Sequence, residues 1–113
     1  MALPKDLVAA SATPLVLSIL AQGDSYGYAI IKRVHELSDG AMQWTDGMLY
    51  PVLHRLERHG AVQSFWATSD SGRRRKYYRI TKKGRKALAV QQQQWKLVHS
   101  TLNATWEAAS CLT

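Results

Sequence analysis

Positively charged side chains are concentrated in one short stretch of this 113-residue chain, which also contains aromatic residues. Nine of its 15 basic residues fall within residues 73–86, namely Arg73, Arg74, Arg75, Lys76, Arg79, Lys82, Lys83, Arg85 and Lys86. The sequence has no acidic residue between Asp70 and Glu107. Guanidinium and ammonium groups bind phosphate oxygens. Because Tyr77, Tyr78 and Ile80 are interleaved with the charges, we interpret the stretch as an ordered surface for a polyanion rather than a solvated tail.

Other reactive residue types are present, but their spacing suits neither a metal centre nor catalysis. Structural zinc sites combine two closely spaced ligand pairs, and no such combination occurs among His35, His54, His59, His99 and Cys111. Catalysis would need paired carboxylates or a nucleophile motif such as G-x-S-x-G. The eight acidic residues are scattered, and that motif does not occur in the sequence. We expect a binding protein that is not an enzyme and that needs no metal or cofactor.

Charge and composition are consistent with this expectation. The formal net charge is +7, which favours an anionic partner such as nucleic acid. Hydrophobic residues make up 46% of the chain, yet no apolar run approaches the roughly 20 residues that span a bilayer. The first residues do not resemble an export signal, and a single cysteine fits a reducing compartment. We expect one cytoplasmic domain whose small core benefits from a partner subunit.

Two helices are predicted before residue 41. In TPLVLSILAQG, Thr13 could cap a helix that begins at Pro14, but the preceding PKDLVAASA also permits a single helix over residues 5–22, kinked at Pro14. Both possibilities remain open. In DSYGYAIIKRVHELSDG, Asp24 or Ser25 would cap a second helix that ends at Gly40. Its predicted apolar face consists of Tyr26, Ile30, Val34 and Leu37.

The third predicted helix, TDGMLYPVLHRLERHG, contains a proline near its start. A core-facing stripe is formed at helical spacing by Leu49, Val52, Leu53 and Leu56. Thr45 would be the N-cap. The opposite face lacks acidic residues and carries Gly47, Tyr50, Pro51, His54 and Arg58, with Arg55 at its flank. Pro51 removes one helical hydrogen bond, and the bare backbone of Gly47 allows close approach. The start of this helix is therefore predicted to contact a partner.

After Gly60 the hydrophobic period changes from 3.6 residues to two. The segments AVQSFWA and RKYYRIT, separated by TSDSGRR, predict a β-hairpin with a basic tip. On its second strand, Tyr78 and Ile80 would share a face with Lys76, whereas the other face carries Arg75, Tyr77 and Arg79. Thr81 would cap a long final helix. In that helix Leu88, Trp95 and Leu102 recur every seven residues, which predicts a helical partner.

This order of elements is that of a winged helix-turn-helix, in a mostly α fold with a small β-hairpin. We assign residues 1–81 to the winged helix-turn-helix DNA-binding domain, whose first helix also reaches a dimer interface, and residues 82–113 to a C-terminal dimerisation helix. In such folds the recognition helix enters the major groove by its N-terminal residues, and basic side chains contact phosphate. The predicted DNA contacts are Tyr28, Lys32, Thr45, Gly47, Met48, Tyr50, Pro51, His54, Arg55, Arg73, Arg74, Arg75 and Lys76.

Three segments carry a family resemblance. GDSYGYAIIKRV, GMLYPVLHRLERHGAV and SGRRRKYYRITKKGRKAL resemble, in order and spacing, the motifs of the PadR family of bacterial transcriptional regulators. The resemblance covers roughly residues 3–106. With one C-terminal helix, the chain is similar to the small subgroup that contains multidrug-responsive repressors of efflux pumps. In that subgroup the terminal helix pairs with helices of the partner, and a tryptophan at the position of Trp95 lines a flat apolar pore.

The resemblance implies a homodimeric repressor that binds an inverted repeat in double-stranded DNA and is released by a planar aromatic molecule at the dimer interface. The implied ligand-binding residues are Leu7, Ser11, Pro14, Gln92, Trp95, Val98 and His99. The implied interface residues are Leu88, Trp95, Leu102 and Trp106. Two positions depart from the pattern, because Met48 replaces a common threonine and His99 stands where the best-known drug binder is acidic. A preference for cationic drugs is therefore not carried over.

Two alternatives remain open from the sequence. The winged helix could dock a protein rather than DNA, although the basic hairpin argues against this. The protein could also be a regulator without a small-molecule effector, in which the two Trp95 rings fill the interface by themselves. Among the remaining aromatic residues, Tyr26, Trp44 and Trp66 are expected to pack in the core. Trp106 could belong to the core or to the interface.

Overall fold

A computed structural model describes the backbone of residues 3–112 and the side chains of residues 3–109. The side chain of Cys111 lies outside the described residues. The elements are α1 (Lys5–Gln22), β1 (Ser25–Tyr26), α2 (Gly27–Leu37), α3 (Asp46–Arg58), β2 (Val62–Thr68), β3 (Arg74–Ile80) and α4 (Lys82–Leu112). The strands form an antiparallel sheet in the order β1-β3-β2. The predicted helical winged fold with a long C-terminal helix is confirmed.

The first helix is continuous through its proline. Pro14 lies inside α1, so the single helix over residues 5–22 is the correct alternative. Thr13 does not begin a helix, and the N-cap is Pro4, whose carbonyl accepts hydrogen bonds from the backbone N–H groups of Leu7 and Val8 at 3.1 and 3.2 Å. On both sides of Pro14, α1 buries Ala12, Val16, Leu17 and Leu20. This burial compensates for the backbone hydrogen bond that the proline removes.

The start of the second helix differs from the prediction. Ser25 and Tyr26 form a short strand that pairs with Tyr78 and Tyr77 of β3, and α2 begins only at Gly27 without a side-chain cap. Asp24 and Ser25 as caps are therefore wrong. Strand pairing holds Ser25 and Tyr26 in an extended conformation, so the helix can begin only at Gly27. The carboxylate of Asp24 instead accepts hydrogen bonds from the guanidinium of Arg79.

The predicted apolar face of the second helix is also shorter than expected. Ile30 and Val34 are buried, but Leu37 is exposed and Tyr26 lies outside the helix. The helix ends at Leu37, before Gly40. Asp39 and Gly40 then adopt positive φ angles of 53° and 83°, and this left-handed turn leads the chain away from the helix.

The core lies where α1, α2 and α3 meet the inner face of the sheet. The most deeply buried large side chains are Tyr78, Leu17, Leu20, Ile30, Leu49, Leu53, Val16, Val34 and Val62. Trp44 is buried as predicted. The prediction for Trp66 is wrong, because 59% of this residue is exposed. It lies on β2 opposite Lys76, closer to the hairpin tip than the buried pair Val62 and Ile80.

Both predicted threonine caps are confirmed. Thr45 Oγ1 accepts a hydrogen bond from the backbone N–H of Met48 at 3.3 Å, at the start of α3. Thr81 Oγ1 accepts one from the N–H of Gly84 at 3.0 Å and donates one to the carbonyl of Gly60 at 2.6 Å. Thr81 therefore caps α4 and ties it to the turn that follows α3.

The last helix leaves the core after its third turn. Leu88 is buried in the protomer's own core, whereas almost all side chains in residues 92–109 are exposed. The described chain measures 60 × 30 × 21 Å, and this helix accounts for its elongation. Leu88 thus belongs to the intramolecular core rather than to the exposed stripe predicted for a dimer. A heptad pattern does not distinguish a position in the intramolecular core from one in a dimer interface, because both require an apolar helix face.

Tyr78 provides a first testable prediction. Its hydroxyl is buried without a hydrogen-bond partner among the described residues, so Tyr78→Phe is expected to raise the free energy of unfolding by about 1 kcal/mol. Burial, and secondarily the charge of Glu57, raise the pKa of Tyr78 above its ordinary 10.0. As the pH rises above the ordinary tyrosine pKa of 10.0, the unfolded state loses the Tyr78 hydroxyl proton more readily than the folded state does. The stability of the wild type therefore decreases. Urea titrations at pH 8 and pH 10.5 should show a smaller loss in Tyr78→Phe. An equal loss in both proteins would contradict the prediction.

Candidate nucleic-acid interface

The hairpin of β2 and β3, here called the wing, displays its basic residues on a well-defined scaffold. The strands pair from Val62 with Ile80 to Thr68 with Arg74. Across the turn, the N–H of Ser69 donates to the carbonyl of Arg73 at 2.8 Å, and the N–H of Arg73 donates to Ser69 Oγ at 3.2 Å. These hydrogen bonds close the turn at the tip of the wing, immediately before Arg74.

A groove of about 510 Å³ lies between the wing, the start of α2 and α3. We call it the basic groove, and it is lined by Tyr26, Gly27, Tyr28, Tyr50, Trp66, Arg73, Arg74, Arg75 and Lys76. It brings together six of the predicted DNA contacts, from three separate segments of the chain. These are Tyr28, Tyr50 and the four consecutive cations. None of the residues that line the groove is acidic. The groove is therefore electropositive, and aromatic side chains form part of its lining.

Tyr50 connects α3 with α2 inside this groove. Its hydroxyl lies so close to Gly27 that a Cβ atom added to the glycine would collide with it. The rings of Tyr50 and His54 have centroids 6.1 Å apart on the outer face of α3. About a third of Tyr50 remains exposed. Tyr50 therefore has both a packing role against α2 and an exposed edge toward the groove.

The wing cations are oriented by aromatic rings. The Arg75 guanidinium lies 4.4 Å from the centroid of Tyr26, and that of Arg74 lies 5.4 Å from the centroid of Trp66. Lys76 Nζ lies 5.8 Å from the ring of Tyr78. Cation–π contacts reduce the freedom of these long side chains while they keep their hydrogen-bond donors available. The groove is thus partly preorganised for an anion.

Arg79 differs from the other wing arginines because it pairs with an acidic side chain. It lies on the outer face of the sheet, which it shares with Arg75, and its guanidinium is 4.6 Å from the ring of Phe65 and 2.8 Å from Asp24 Oδ2. The hydrogen bonds and the charge of Asp24 hold the pKa of Arg79 above its ordinary value. Its charge is therefore compensated within the protomer, and it does not line the basic groove.

The other predicted DNA contacts lie on α2 and α3 outside the groove lining. Exposed positions are occupied by Lys32, Thr45, Gly47, Pro51 and His54. Met48 is half-buried and packs against the core, so little of it faces outward.

Arg55 lies on a different face from the one predicted. Its Nη2 donates a hydrogen bond to Thr13 Oγ1 of α1 at 3.0 Å. It lines a second cavity rather than the basic groove. Position at the flank of a helix does not reveal which neighbour a long side chain will reach, and here the neighbour is α1.

The second cavity, of about 470 Å³, lies between α1, α3 and α4 and is bordered by Trp95. Its basic residues are Arg55, His59 and Lys83. Of the predicted ligand-binding residues, only Trp95 lines it. The remaining ones lie elsewhere on α1 and α4, and they are Leu7, Ser11, Pro14, Gln92, Val98 and His99. Two of them have local partners, because Ser11 Oγ donates to the Leu7 carbonyl at 2.7 Å and His99 Nε2 lies 3.0 Å from Asn103 Nδ2.

Exposed apolar side chains continue along α4 beyond this cavity. Trp95, Leu102 and Trp106 of the predicted dimer interface are 38%, 43% and 57% exposed. Val98 and Leu97 are exposed on the same helix. Such a series of large apolar residues on a projecting helix is typical of an interaction surface.

Comparison with known proteins identifies the family. Residues 16–90 match the model of the transcriptional regulator PadR-like family. The chain belongs to this family. PadR-family proteins are transcription factors that bind DNA and are typically dimeric. This PadR-family chain is thus a transcriptional regulator, as its motifs predict.

Solved structures show the same fold in relatives of this PadR-family chain. A transcriptional regulator from Clostridium thermocellum has 32% sequence identity and a TM-score of 0.80, with 88% of this chain and 96% of that chain covered. A PadR family transcription regulator from Clostridium difficile has 33% identity and a TM-score of 0.73, with coverages of 82% and 95%. Transcriptional regulator Rv3488 of Mycobacterium tuberculosis is 47% identical over 53 residues, which are 47% of this chain and 49% of that protein.

The described residues bear on metal binding and on membrane insertion. Among residues 3–109, no three side chains of His, Cys, Asp or Glu lie close enough together to hold a metal ion. Within the same described part of this PadR-family chain, none of the helices combines the length and apolarity that crossing a bilayer requires.

Sequence reasoning missed three residues of the basic groove in this PadR-family chain. Tyr26 was expected to pack on the second helix and Trp66 in the core, and Gly27 was not among the predicted contacts, yet all three line the groove. The signal for Trp66 was its position within the strand, two residues beyond Ser64 and four beyond the buried Val62, toward the polar turn. A side chain on the inner face of a hairpin leaves the core once the strand extends past the helices that cover it.

Proposed function

We propose that this protein is a homodimeric, sequence-specific DNA-binding repressor that acts in the cytoplasm. The observation that supports this proposal best is the basic groove between the wing and the start of α3. A duplex that places its major groove on α3 would pass its sugar-phosphate backbone into the cleft beside the wing, which is lined by Arg73, Arg74, Arg75 and Lys76.

The two sides of the groove would have different roles. Gly47 and Pro51 would allow α3 to approach the bases closely, and Tyr50 and His54 would supply base-edge contacts. The wing cations would bind phosphate and supply affinity that depends on salt but little on sequence. Auxiliary contacts are proposed for Tyr28, Lys32, Thr45 and Met48. Arg55 is left out of this set because it binds Thr13.

The exposed apolar stripe of α4 supports a homodimer. Trp95, Leu102 and Trp106 would pack against the partner, with residues 82–113 as the dimerisation helix and residues 1–81 as the DNA-binding domain. A two-fold dimer that reads one face of DNA places its recognition helices roughly 34 to 36 Å apart, and therefore binds an inverted repeat.

Selection of bound fragments from random duplex DNA tests the DNA-binding proposal directly. Enrichment of an inverted repeat with half-sites one turn apart is expected, together with a dimer in sedimentation at micromolar concentration. Recovery of no preferred sequence, with weak binding that is insensitive to salt, would favour the alternative in which the winged helix docks a protein. A stable monomer would contradict the dimer.

We also propose a planar aromatic effector at the dimer interface, next to Trp95. In a symmetric dimer the two Trp95 rings could hold a flat guest by offset stacking, with further contacts from Leu7, Ser11, Pro14, Gln92, Val98 and His99. Multidrug binding of this kind would release the operator only if the guest prefers one arrangement of the protomers.

Tryptophan fluorescence tests this effector. Planar aromatic compounds should quench the wild type more than Trp95→Phe, while Trp106→Phe should retain the response. The expected contribution of each stacked pair is about 0.5 to 1.5 kcal/mol beyond burial. If Trp95→Phe and the wild type respond equally, the protein is better described as a regulator without this effector site.

A further inference from the structure

Trp66 is an exposed tryptophan for which the winged fold provides no packing site. It is 59% exposed, although its neighbours along the same strand face, Val62 and the paired Ile80, are buried. Its ring lies opposite Lys76 and borders the basic groove. Large exposed apolar side chains have a cost in water, so a concave location beside cations indicates a surface that a ligand covers.

The groove contains more aromatic surface than phosphate binding requires. Besides four cations it presents Trp66, Tyr28 and Tyr50, of which Tyr28 is 69% exposed. Phosphate oxygens need only N–H or O–H donors, and they gain nothing from an indole face. A nucleic-acid backbone, in contrast, alternates a charged phosphate with an apolar sugar face. The mixture of side chains in the groove matches that alternation.

We infer that Trp66 packs against the sugar of the strand whose phosphates are bound by Arg74 and Lys76, and so acts as a further DNA-contact residue of the wing. This inference rests on the proposed DNA-binding function. The geometry places the three residues in one unit. Lys76 is the strand partner of Trp66, and the Arg74 guanidinium lies 5.4 Å from its ring centroid.

This arrangement also determines which side chain of the wing faces which part of the DNA backbone. Arg74 and Lys76 lie two residues apart on one face of β3, and Trp66 lies beside them on β2. Two positions along a strand span roughly 6 to 7 Å, close to the repeat between successive phosphates of one DNA strand. The cations can therefore bind neighbouring phosphates while the indole covers the sugar between them.

Equilibrium binding as a function of salt separates this role from an electrostatic one. Trp66→Ala should weaken binding to duplex DNA at least about fivefold, as is common for a buried tryptophan contact, and should leave the salt slope unchanged because no ion is displaced. Arg74→Ala is the matched comparison, in which the slope should fall. Trp66→Phe should recover part of the affinity. Thermal unfolding of Trp66→Ala should stay close to the wild type, since most of this side chain is already in solvent.

Protection from a neutral quencher tests the contact itself. Duplex DNA should shield a tryptophan of the wild type from acrylamide, and this shielding should disappear in Trp66→Phe. It should persist in Trp106→Phe, which removes a tryptophan that lies outside the basic groove and is 57% exposed in the protomer. Binding of DNA by Trp66→Phe with undiminished shielding, or by Trp66→Ala with wild-type affinity, would overturn the inference while leaving the proposed function intact. Failure of the wild type to bind any duplex would instead overturn the proposed function and the inference with it.

Discussion

Replacing Gly84 with alanine is expected to lower the free energy of unfolding by about 3 kcal/mol, because the added methyl group has no room in the packed core. Gly84 lies buried in the first turn of α4. A Cβ atom there would overlap the carbonyl oxygen of Ala61 and would lie 2.8 Å from Ile80 Cγ1. The Ala61 carbonyl cannot rotate away, because it accepts the backbone hydrogen bond of Thr81 at 3.0 Å. Urea unfolding of the two proteins measures the difference.

Gly47→Ala is the matched control for this prediction. The nearest atom to a Cβ at Gly47 is Thr45 Oγ1 at 3.9 Å, so the methyl group has room. Within the helix, alanine in place of glycine should stabilise the protein by about 0.5 to 1 kcal/mol. A Gly84→Ala variant with the same urea midpoint as the wild type would show that α4 can shift away from Ala61 without cost.

Removal of the wing cations is expected to have the largest effect on DNA binding. With Arg73, Arg74 and Lys76 changed to Ala, binding to all duplex sequences should weaken, because the lost contacts are to phosphate. The slope of log K against log salt should decrease by about 0.9 per contact, and therefore by about 5 for six contacts in a dimer. Fluorescence anisotropy between 50 and 200 mM salt covers the range in which this difference is easily measured.

Comparison of Arg79→Ala with the single variant Arg74→Ala provides a control of equal charge for this experiment. Arg79 lies on the same strand, but its guanidinium is held by Asp24 on the outer face of the sheet. Its removal should leave the salt slope close to the wild type. If the slope decreases as much in Arg79→Ala as in Arg74→Ala, the electrostatic contribution comes from net charge rather than from the basic groove.

The main elements of the fold could be predicted because their signals are local. Leu49, Val52, Leu53 and Leu56 define α3 by spacing alone, and Thr45 and Thr81 cap helices with contacts to residues three positions away. The hairpin is likewise set by alternation and by turn residues. Each of these signals depends only on residues close together in the sequence, so it can be recognised without knowledge of the tertiary structure.

Features that depend on distant residues could not be predicted in the same way. The strand at Ser25 and Tyr26 exists only because β3 passes beside it, more than 50 residues later. The direction of Arg55 depends on Thr13, and the burial of Leu88 depends on how α4 crosses the core. For the candidate site, the cations were evident from sequence, whereas the aromatic wall formed by Tyr26 and Trp66 required the three-dimensional arrangement.

The two-residue strand β1 has a consequence for the proposed response to an effector. It attaches the wing to the chain immediately before α2, and the next residue, Gly27, contacts Tyr50 of α3. The wing, α2 and α3 are therefore linked to one another at the base of the basic groove, and separating the wing from α2 there would break the strand pairs of β1. We expect an effector to change DNA affinity by rotating one protomer of the proposed dimer relative to the other, since the wing and α3 within each protomer stay at a constant separation.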